Sequence, residues 1–413
     1  MYKNNSCARI FGVAAFLFSL SLRAEMFEYL PEVTIKTNSQ MAVVRNIQKT
    51  KGTESVKLVR INLDSLKDNG AVEVNLQQHK NDMINDVHIE MLNDSEYTWI
   101  GTLSGIPGGA VLIVSNGMVT GTLRSNEGLY RIQPIDNKIH ALIKVDEKII
   151  HDDDCESETS LIASPGHIKG IIDNDGIIEG RNYSIFSNVV SNIDVLVLVT
   201  RNAEISYGDN IYKLVQLAVA ETNTGFDNSN IDIRLKLAGM RPVSSSFDES
   251  NMSLSQILYY MLVDFDYYLN DIDELRKQYS ADIVVLVVGE GESCGRAAAI
   301  NARASNAFAV VRYNCMTGNY TFGHEIGHLL GARHNPEEDP STRPYPQGHG
   351  FRYDPFWRTI MSYNCPQGCP RILYWSNPDV YNDDVATGTY SRHNNTSVLN
   401  MNAGRVSRFS DSL

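Results

Sequence analysis

The chain has 413 residues, which is enough for two or three domains, and 43% hydrophobic against 21% charged residues is the balance of a folded protein. This composition excludes a largely disordered chain. The formal net charge of −13 argues against nucleic acid as a partner, because phosphate binding needs clustered lysine and arginine side chains. We attribute the acidity to solubility.

The first 24 residues have the pattern of a secretory signal peptide. Lys3 and Arg9 precede an apolar stretch at residues 10–22, and small or polar residues follow at 23–25. This stretch is short for a membrane span, so we predict that residues 1–24 are removed and that the protein is secreted, outside the cell or into the periplasm. The alternative is an anchor that is not cleaved. No later stretch of the sequence is apolar for long enough to cross a membrane.

Residues 25–150 predict a β-rich domain. Apolar and polar residues alternate with a period of two, the pattern of half-buried strands, in segments at 56–61, 72–76, 87–91, 110–114 and 139–145. Turn signals separate these segments, and Asn116-Gly117 is a pair typical of a two-residue hairpin. We therefore expect an antiparallel sheet. This part of the sequence shows no group of metal-ligating or nucleophilic residues.

Residues 151–183 predict a linker. They are acidic at the start and then rich in glycine, serine, asparagine and aspartate, the composition of an exposed segment in which proteolytic cleavage concentrates. From residue 184 onward, buried strands are predicted at 193–200, 231–237, 281–288 and 308–313. A helix is predicted at 210–224, and one long helix or two at 253–279, opened by Ser253 as a cap. This alternation predicts an α/β layer around a mostly parallel, twisted sheet.

The six cysteines are informative because an exported chain meets an oxidising compartment, where disulfides form. Cys7 leaves with the signal peptide, so five remain. The cysteines that are near each other in sequence form two pairs: Cys294 with Cys315 and Cys365 with Cys369. Cys155 in the linker is left over, and a leftover thiol in a secreted chain calls for an explanation.

The residues that could bind a metal and carry out catalysis lie at 324–334. His324 and His328 are spaced to lie on one face of a helix, so both imidazoles can reach one ion. Glu325 points into the same cavity and can accept a proton from a zinc-activated water. Gly331 lets the chain leave the helix, and the turn returns His334 as a third ligand. Three protein ligands leave a position for water, which indicates one catalytic Zn²⁺ ion.

This motif, followed by Thr359-Ile360-Met361-Ser362-Tyr363, resembles the metzincin family of zinc proteases. The resemblance implies that Met361 is an apolar residue beneath the zinc and that the Tyr363 hydroxyl stabilises the oxyanion, although that side chain has the alternative of simply packing. It also implies a metzincin-like catalytic domain over residues 184–413, with a mostly parallel sheet and an active-site helix.

Within the metzincins, the chain is most similar to the reprolysin-like bacterial branch that includes the peptidyl-Asp metallopeptidases. The segments that carry this resemblance are 294–300, 322–325, 332–335, 348–351, 357–366 and 374–378. Residues 25–150 resemble the propeptides of such enzymes, which implies a zymogen whose own propeptide is its inhibitor. The branch hints at acidic residues in the substrate, with Arg333 or Arg371 as their partner.

Cys155 has two interpretations. One is a cysteine switch, in which the thiolate occupies the fourth zinc position until the propeptide is cut away. Its acidic neighbours, such as Asp154 and Glu156, oppose this because they raise the pKa of a thiol, whereas a zinc ion would reverse that effect. The other interpretation is a free or mispaired cysteine.

The sequence therefore predicts a zinc endopeptidase that acts on proteins or peptides, with Glu325 as general base. We expect the strand at Phe308–Tyr313 to be the sheet edge that aligns an extended substrate by strand addition. Two rival hypotheses remain open. One is a secreted adhesion or interaction protein that binds zinc without turnover, and the other is a zinc hydrolase for non-protein amides. We leave His349 out of the predicted site, because a lone histidine between glycines is more often a loop residue.

Overall fold

The computed structural model describes residues 25–149 and 190–413, apart from residues 68, 78–79, 264–268 and 270–271. The predicted signal peptide and the predicted linker, with Cys155, lie outside the described residues. Helices and strands are both abundant, so the mixed α/β composition is confirmed.

The N-terminal part, which we call the sheet unit (residues 27–145), is a nine-stranded antiparallel sheet with the strand order β1-β2-β9-β8-β7-β6-β5-β4-β3. A helix, α1 (Asn38–Lys49), follows the first strand and begins with a capping box at Thr37. The strands are β1 (Phe27–Leu30), β2 (Thr53–Ile61), β3 (Val72–Gln77), β4 (Lys80–Asn93), β5 (Glu96–Leu103), β6 (Ile106–Ser115), β7 (Met118–Ser125), β8 (Gly128–Pro134) and β9 (His140–Val145).

The hairpin between β6 and β7 turns at the predicted site. Asn116 and Gly117 both have positive φ angles, 49° and 82°, as a two-residue turn of this hand requires. The strand β6 departs from the half-buried prediction, since its residues from Gly109 to Ser115 are all buried. Leu112 and Val114 face the core of the sheet unit, whereas Val111 and Ile113 face the second half of the chain.

The second half, the α/β unit (residues 191–413), contains a five-stranded sheet with the order β11-β10-β12-β14-β13. The first four strands in this order are parallel, and β13 runs antiparallel at the edge. Its elements, in chain order, are β10 (Ser191–Val199), α2 (Arg201–Tyr207), α3 (Ile211–Asn228), β11 (Ile233–Pro242), α4 (Leu254–Leu262), α5 (Ile272–Gln278), β12 (Ile283–Val288), β13 (Gly295–Ala297), β14 (Phe308–Arg312) and α6 (Thr321–Leu329).

Alternate residues of the central strands face two apolar layers. Val195 and Val197 of β10 contact the layer that contains α3 and α6, and Leu196 and Leu198 contact the layer that contains α4. A strand buried on both faces needs a continuous apolar run, which is what the sequence has here. The cap of α4 at Ser253 is confirmed, because the side chain accepts a hydrogen bond from the Gln256 amide.

After α6 the chain forms mostly irregular structure, with two short ribbons and one helix that packs beside β10. These elements are β15 (Arg352–Tyr353), β16 (Trp357–Arg358), β17 (Tyr381–Asn382), β18 (Val385–Ala386) and α7 (Asn395–Val406). Among the described helices, none has both the length and the apolar character of a membrane span.

The prediction that the strand at Phe308–Tyr313 is the sheet edge is wrong. β14 pairs with β12 on one side and with β13 on the other, so β13 is the edge strand. The physical reason is length: β13 has three residues, too few to show a period-two alternation in the sequence.

Candidate metal centre

Three histidine side chains converge on one point. His324 and His328 project from α6, and their Nε2 atoms lie 3.2 Å apart. The Nε2 atom of His334 lies 3.1 Å from that of His324 and 3.0 Å from that of His328. A tetrahedral zinc ion with Zn–N bonds of about 2.0–2.1 Å would space its ligands roughly 3.3 Å apart, so this triangle fits the ion that the sequence predicts.

The rings are held in the orientation that a metal needs. The Nδ1–H of His324 donates to the carbonyl oxygen of Ile360 at 2.9 Å, and that of His328 donates to the carbonyl oxygen of Ala332 at 2.9 Å. Because Nδ1 carries the proton, the lone pair on each Nε2 faces the centre. Burial lowers the pKa of His328 to about 4 and that of His324 well below its usual value, so both imidazoles are neutral near pH 7, the form that can bind a metal.

His334 reaches the centre through a turn at Gly331, which has a φ angle of 103° that favours glycine. The amide of Gly331 donates to the His328 carbonyl, and the amide of Ala332 donates to the Gly327 carbonyl, so the helix ends there. The predicted turn thus brings the third histidine to the first two.

Glu325 lies on α6, is fully buried, and packs against the edge strand β13. A Cβ atom at Gly295 would lie 2.6 Å from the Glu325 Oε1 atom. The carboxylate therefore occupies space that exists only because residue 295 has no side chain. This contact places the carboxylate between the active-site helix and the strand edge.

Met361 lies under the turn of α6 that carries the histidines. A Cβ atom at Gly327 would lie 2.9 Å from the Met361 sulfur and 2.6 Å from the Trp375 ring. Met361 is fully buried, and the residue before it, Ile360, supplies the carbonyl that orients His324. The loop that contains Met361 thus contacts both the helix and a ligand.

Tyr363 lies beside the third histidine, His334. Its ring centroid is 4.3 Å from that of His334, and its backbone amide donates to the Asn335 Oδ1 atom at 2.9 Å. Asn335 is fully buried and follows His334 directly, so it links the two loops that frame the centre.

The two arginines of the substrate hypothesis have different environments. Arg333 forms a salt bridge with Asp339 at 2.6 Å. Arg371 is buried and donates to the carbonyl oxygens of Asn319 and Ser362 at 2.8 and 3.2 Å, which links the loop before α6 to the loop after Met361. The positive charge of Arg371 is one of the causes that lower the pKa of His324.

His349, which we left out of the predicted site, belongs to the support of the centre. It is fully buried, and its Nδ1–H donates to the backbone carbonyl oxygen of His334 at 2.7 Å. The glycines on either side of His349 are the sequence feature that could have indicated its buried position. A Cβ atom at Gly350 would lie 2.6 Å from the backbone of Met361, so a histidine between close-packed glycines marks a buried backbone contact.

Both predicted disulfides are present, with Cα–Cα distances of 5.5 Å for Cys294–Cys315 and 5.4 Å for Cys365–Cys369. The first connects the start of β13 to the segment that leads into α6. It therefore fixes the edge strand relative to the active-site helix.

The family model and the curated relatives agree on one family. The model of metallo-peptidase family M12 matches residues 190–376. The chain is 40% identical over 310 residues to a peptidyl-Asp metalloendopeptidase of Xanthomonas campestris pv. campestris, which covers 75% of this chain and 72% of that protein. It is 38% identical over 351 residues to a peptidyl-Asp metalloendopeptidase of Stenotrophomonas maltophilia, covering 84% and 78%. Among solved structures, metalloproteinase-II from Bacteroides fragilis matches with a TM-score of 0.42 and 15% identity, covering 73% and 87%.

Proposed function

Because this chain belongs to the M12 metallopeptidases and is a metallo-endopeptidase, we propose that it is a secreted zinc protease made as a zymogen, with Glu325 as its general base. The observation that carries the proposal is the triangle of buried Nε2 atoms from His324, His328 and His334, with the buried Glu325 on the same helix as the first two. The two disulfides support export, since such bonds form in oxidising compartments.

The chemistry of the site divides between the metal and the chain. A zinc ion, when bound, supplies a Lewis acid that polarises the scissile carbonyl and increases the acidity of a water. Glu325 takes the proton of the attacking water and delivers it to the leaving amine. The Tyr363 hydroxyl donates a hydrogen bond to the oxyanion of the tetrahedral species. The backbone of β13, as the sheet edge beside Glu325, pairs with an extended substrate.

The substrate preference is the second part of the proposal. The relatives carry the name peptidyl-Asp metalloendopeptidase, and we propose that this chain also selects aspartate. Arg371 is the better candidate partner for that carboxylate, because it donates to the Ser362 carbonyl oxygen beside Met361, whereas Arg333 already pairs with Asp339. We further propose that residues 25–150 are the propeptide and that Cys155 in the linker occupies the fourth zinc position in the zymogen.

The test compares the wild-type chain with Glu325→Ala after limited proteolysis of the linker at residues 151–183. The substrates are casein and a matched pair of peptides that differ only by aspartate or asparagine at one position. We expect one zinc per chain in both proteins, cleavage by the wild type alone, inhibition by a chelator, and faster cleavage of the aspartate peptide. If both proteins bind zinc and neither cuts any protein or peptide, one of the two rival hypotheses holds: a zinc-binding interaction protein, or a zinc hydrolase of non-protein amides.

A further inference from the structure

The sheet unit and the α/β unit share an apolar interface. Val111 and Ile113 of β6 belong to the same buried cluster as α3 and α6, and Ile100 of β5 packs against it. A second cluster joins Leu129 and Val145 of the sheet unit to the disulfide partners Cys294 and Cys315 of the α/β unit.

The backbones also approach each other closely. A Cβ atom at Gly108 in β6 would lie 2.7 Å from the Thr224 side chain of α3 and 3.2 Å from the Leu373 side chain. Gly108 has a φ angle of 65°, so both its conformation and its surroundings favour glycine. This close fit is typical of a core rather than of a surface contact.

Polar groups from the sheet unit hydrogen-bond a short loop that leads into α6, which we call the lead-in loop (residues 317–320). Arg131 donates to the Thr317 carbonyl oxygen at 3.1 Å, and Arg124 donates to the Gly318 carbonyl oxygen at 3.0 Å. The Arg124 Nε–H also donates to the Tyr320 hydroxyl at 3.4 Å. Two arginines of the sheet unit thus hold successive residues of this loop.

A buried carboxylate completes the contact. Glu221 of α3 accepts hydrogen bonds from the Thr122 hydroxyl at 2.5 Å and from the Gly318 amide at 2.9 Å. Arg124 is itself almost fully buried and forms a salt bridge with Glu147 at 2.9 Å. We call Thr122, Arg124, Arg131 and Glu221 the polar interface cluster.

The rim of the interface is charged. Lys213 of α3 forms a salt bridge with Glu96 at 2.5 Å, and Arg234 of β11 forms one with Glu90. An apolar centre, a buried arginine with several partners and a polar rim together describe a stable protein interface. A single linker is therefore not the only connection between the two units.

The lead-in loop connects this interface to the metal centre. Tyr320 has a φ angle of 59° and its carbonyl accepts the His324 amide, so the conformation of this residue sets where the active-site helix begins. The Asn319 carbonyl is held by Arg371, which also holds the Ser362 carbonyl beside Met361. The position of the loop is thus transmitted to the elements that carry and support the ligands.

We propose that the sheet unit is a lasting noncovalent partner of the α/β unit, and that it holds the lead-in loop in the position that the metal centre needs. This inference rests on the proposed zymogen cleavage in the linker. It differs from a propeptide that leaves once it is cut, because the cut chain remains a complex of two pieces. Arg124 is the anchor of that complex, since it contacts the loop and is almost completely removed from water.

The experiment uses the full chain with Glu325→Ala, so that self-digestion plays no role, and with a site for a specific protease inserted in the linker. After the cut, we measure the dissociation constant of the two pieces by dilution and size-exclusion chromatography, and zinc release with a chromogenic chelator. We expect the two pieces to elute together at micromolar concentration, and zinc to be released more readily as dilution separates them. Separation of the two pieces of this chain at micromolar concentration would overturn the proposal.

The variant Arg124→Ala should weaken the complex by at least about 30-fold, the size expected for an interface anchor. The matched control is Arg60→Ala, which removes an exposed arginine of the same sheet unit that pairs with Glu28. Equal dissociation constants for the two variants would contradict the role of Arg124. Circular dichroism of the uncut chains shows whether each variant folds. Dilution of the cut chain without any interface substitution decides the proposal on its own. The same cut chain with Glu325 retained is assayed for protease activity. If its two pieces stay together but it cleaves no peptide, the proposed function is rejected and this inference stands.

Discussion

The metal centre and the sheet unit use buried polar groups in opposite ways. At the centre, burial keeps His324 and His328 neutral, and their ring nitrogens converge because they are close in sequence on one helix. In the sheet unit, Arg124 stays charged while buried, because Glu147 and the backbone of a distant loop surround it. The comparison teaches that the catalytic chemistry is local in the sequence, whereas its structural support comes from residues almost 200 positions away.

The largest effect should come from the removal of a ligand. His328→Ala leaves two ring nitrogens where three converge, so we expect hydrolysis to fall by at least about 10⁴-fold, as it does when other catalytic groups are lost. Zinc content should fall in parallel, whereas the contact between the sheet unit and the α/β unit should persist. Metal analysis gives the zinc content, and a peptide assay on the same preparation gives the rate of hydrolysis.

A histidine outside the centre provides the control. His88→Ala changes a histidine of β4 in the sheet unit and should leave zinc content and hydrolysis unchanged. If His328→Ala retains full zinc and full activity, the triangle of histidines is not the metal centre.

The second prediction concerns the core of the sheet unit. Trp99 is fully buried there, so Trp99→Ala should lower the free energy of unfolding by about 3–5 kcal/mol, the usual cost of such a cavity. Zinc stoichiometry in the folded protein should not change. Denaturant titration measures the free energy of unfolding. The control is Met91→Ala, at an exposed position of the same sheet, which should lower this free energy by less than about 0.5 kcal/mol. Equal losses for both variants would contradict the assigned core.

The sequence predicts the metal centre well because its geometry depends on short spacings. The interval between His324 and His328 matches one turn of a helix, and Gly331 permits the bend that returns His334. Both disulfide pairs were also predictable, because their members are near each other in sequence. Local rules are sufficient for these features.

Features that depend on long-range contacts were not predictable in the same way. The edge strand β13 is too short to show alternation, so β14 was mistaken for the edge. The burial of both faces of β6 from Gly109 to Ser115 results from its contact with α3, which is far away in the sequence. For His349 the sequence offers only the two flanking glycines, and its position against His334 in space is what shows its role.

The third prediction tests the polar interface cluster through pH. Burial raises the pKa of Glu221 to about 7, against the opposing effects of its hydrogen bonds from Thr122 and Gly318 and of the charges on Arg131 and Arg124. After dissociation the pKa of Glu221 would return toward its ordinary value of 4.5. The docked state therefore binds the extra proton, and the complex is most stable below pH 4.5 and weakens as the pH rises through 7.

We expect the dissociation constant of the cut complex to increase by roughly 50-fold between pH 5 and pH 8 because of this carboxyl group. Glu221→Gln keeps an oxygen acceptor for Thr122 and the Gly318 amide but cannot ionise, so its dissociation constant should lose most of this dependence. Binding measurements at several pH values on both proteins provide the test. An identical pH profile for the two proteins would assign the dependence to another group.

The smallest effect is expected at His349, whose Nδ1–H donates to the His334 carbonyl oxygen. In His349→Asn, the amide nitrogen of the new side chain occupies nearly the place of Nδ1 and keeps the hydrogen bond. In His349→Gln, the amide lies one bond farther out and loses it. Because this bond positions a ligand rather than binding the metal, the glutamine variant should hold zinc about 10-fold more weakly, within the range for residues that orient ligands.

Competition with a chelator of known affinity measures this difference without reference to activity. The asparagine variant should bind zinc within about 3-fold of the wild type, because the donor is restored even though the ring is lost. If both variants lose zinc affinity equally, His349 acts through the volume of its ring in the packing beneath His334. A loss in the glutamine variant alone assigns the effect to one donated proton, which would make a residue without any sequence motif a measurable part of the metal centre.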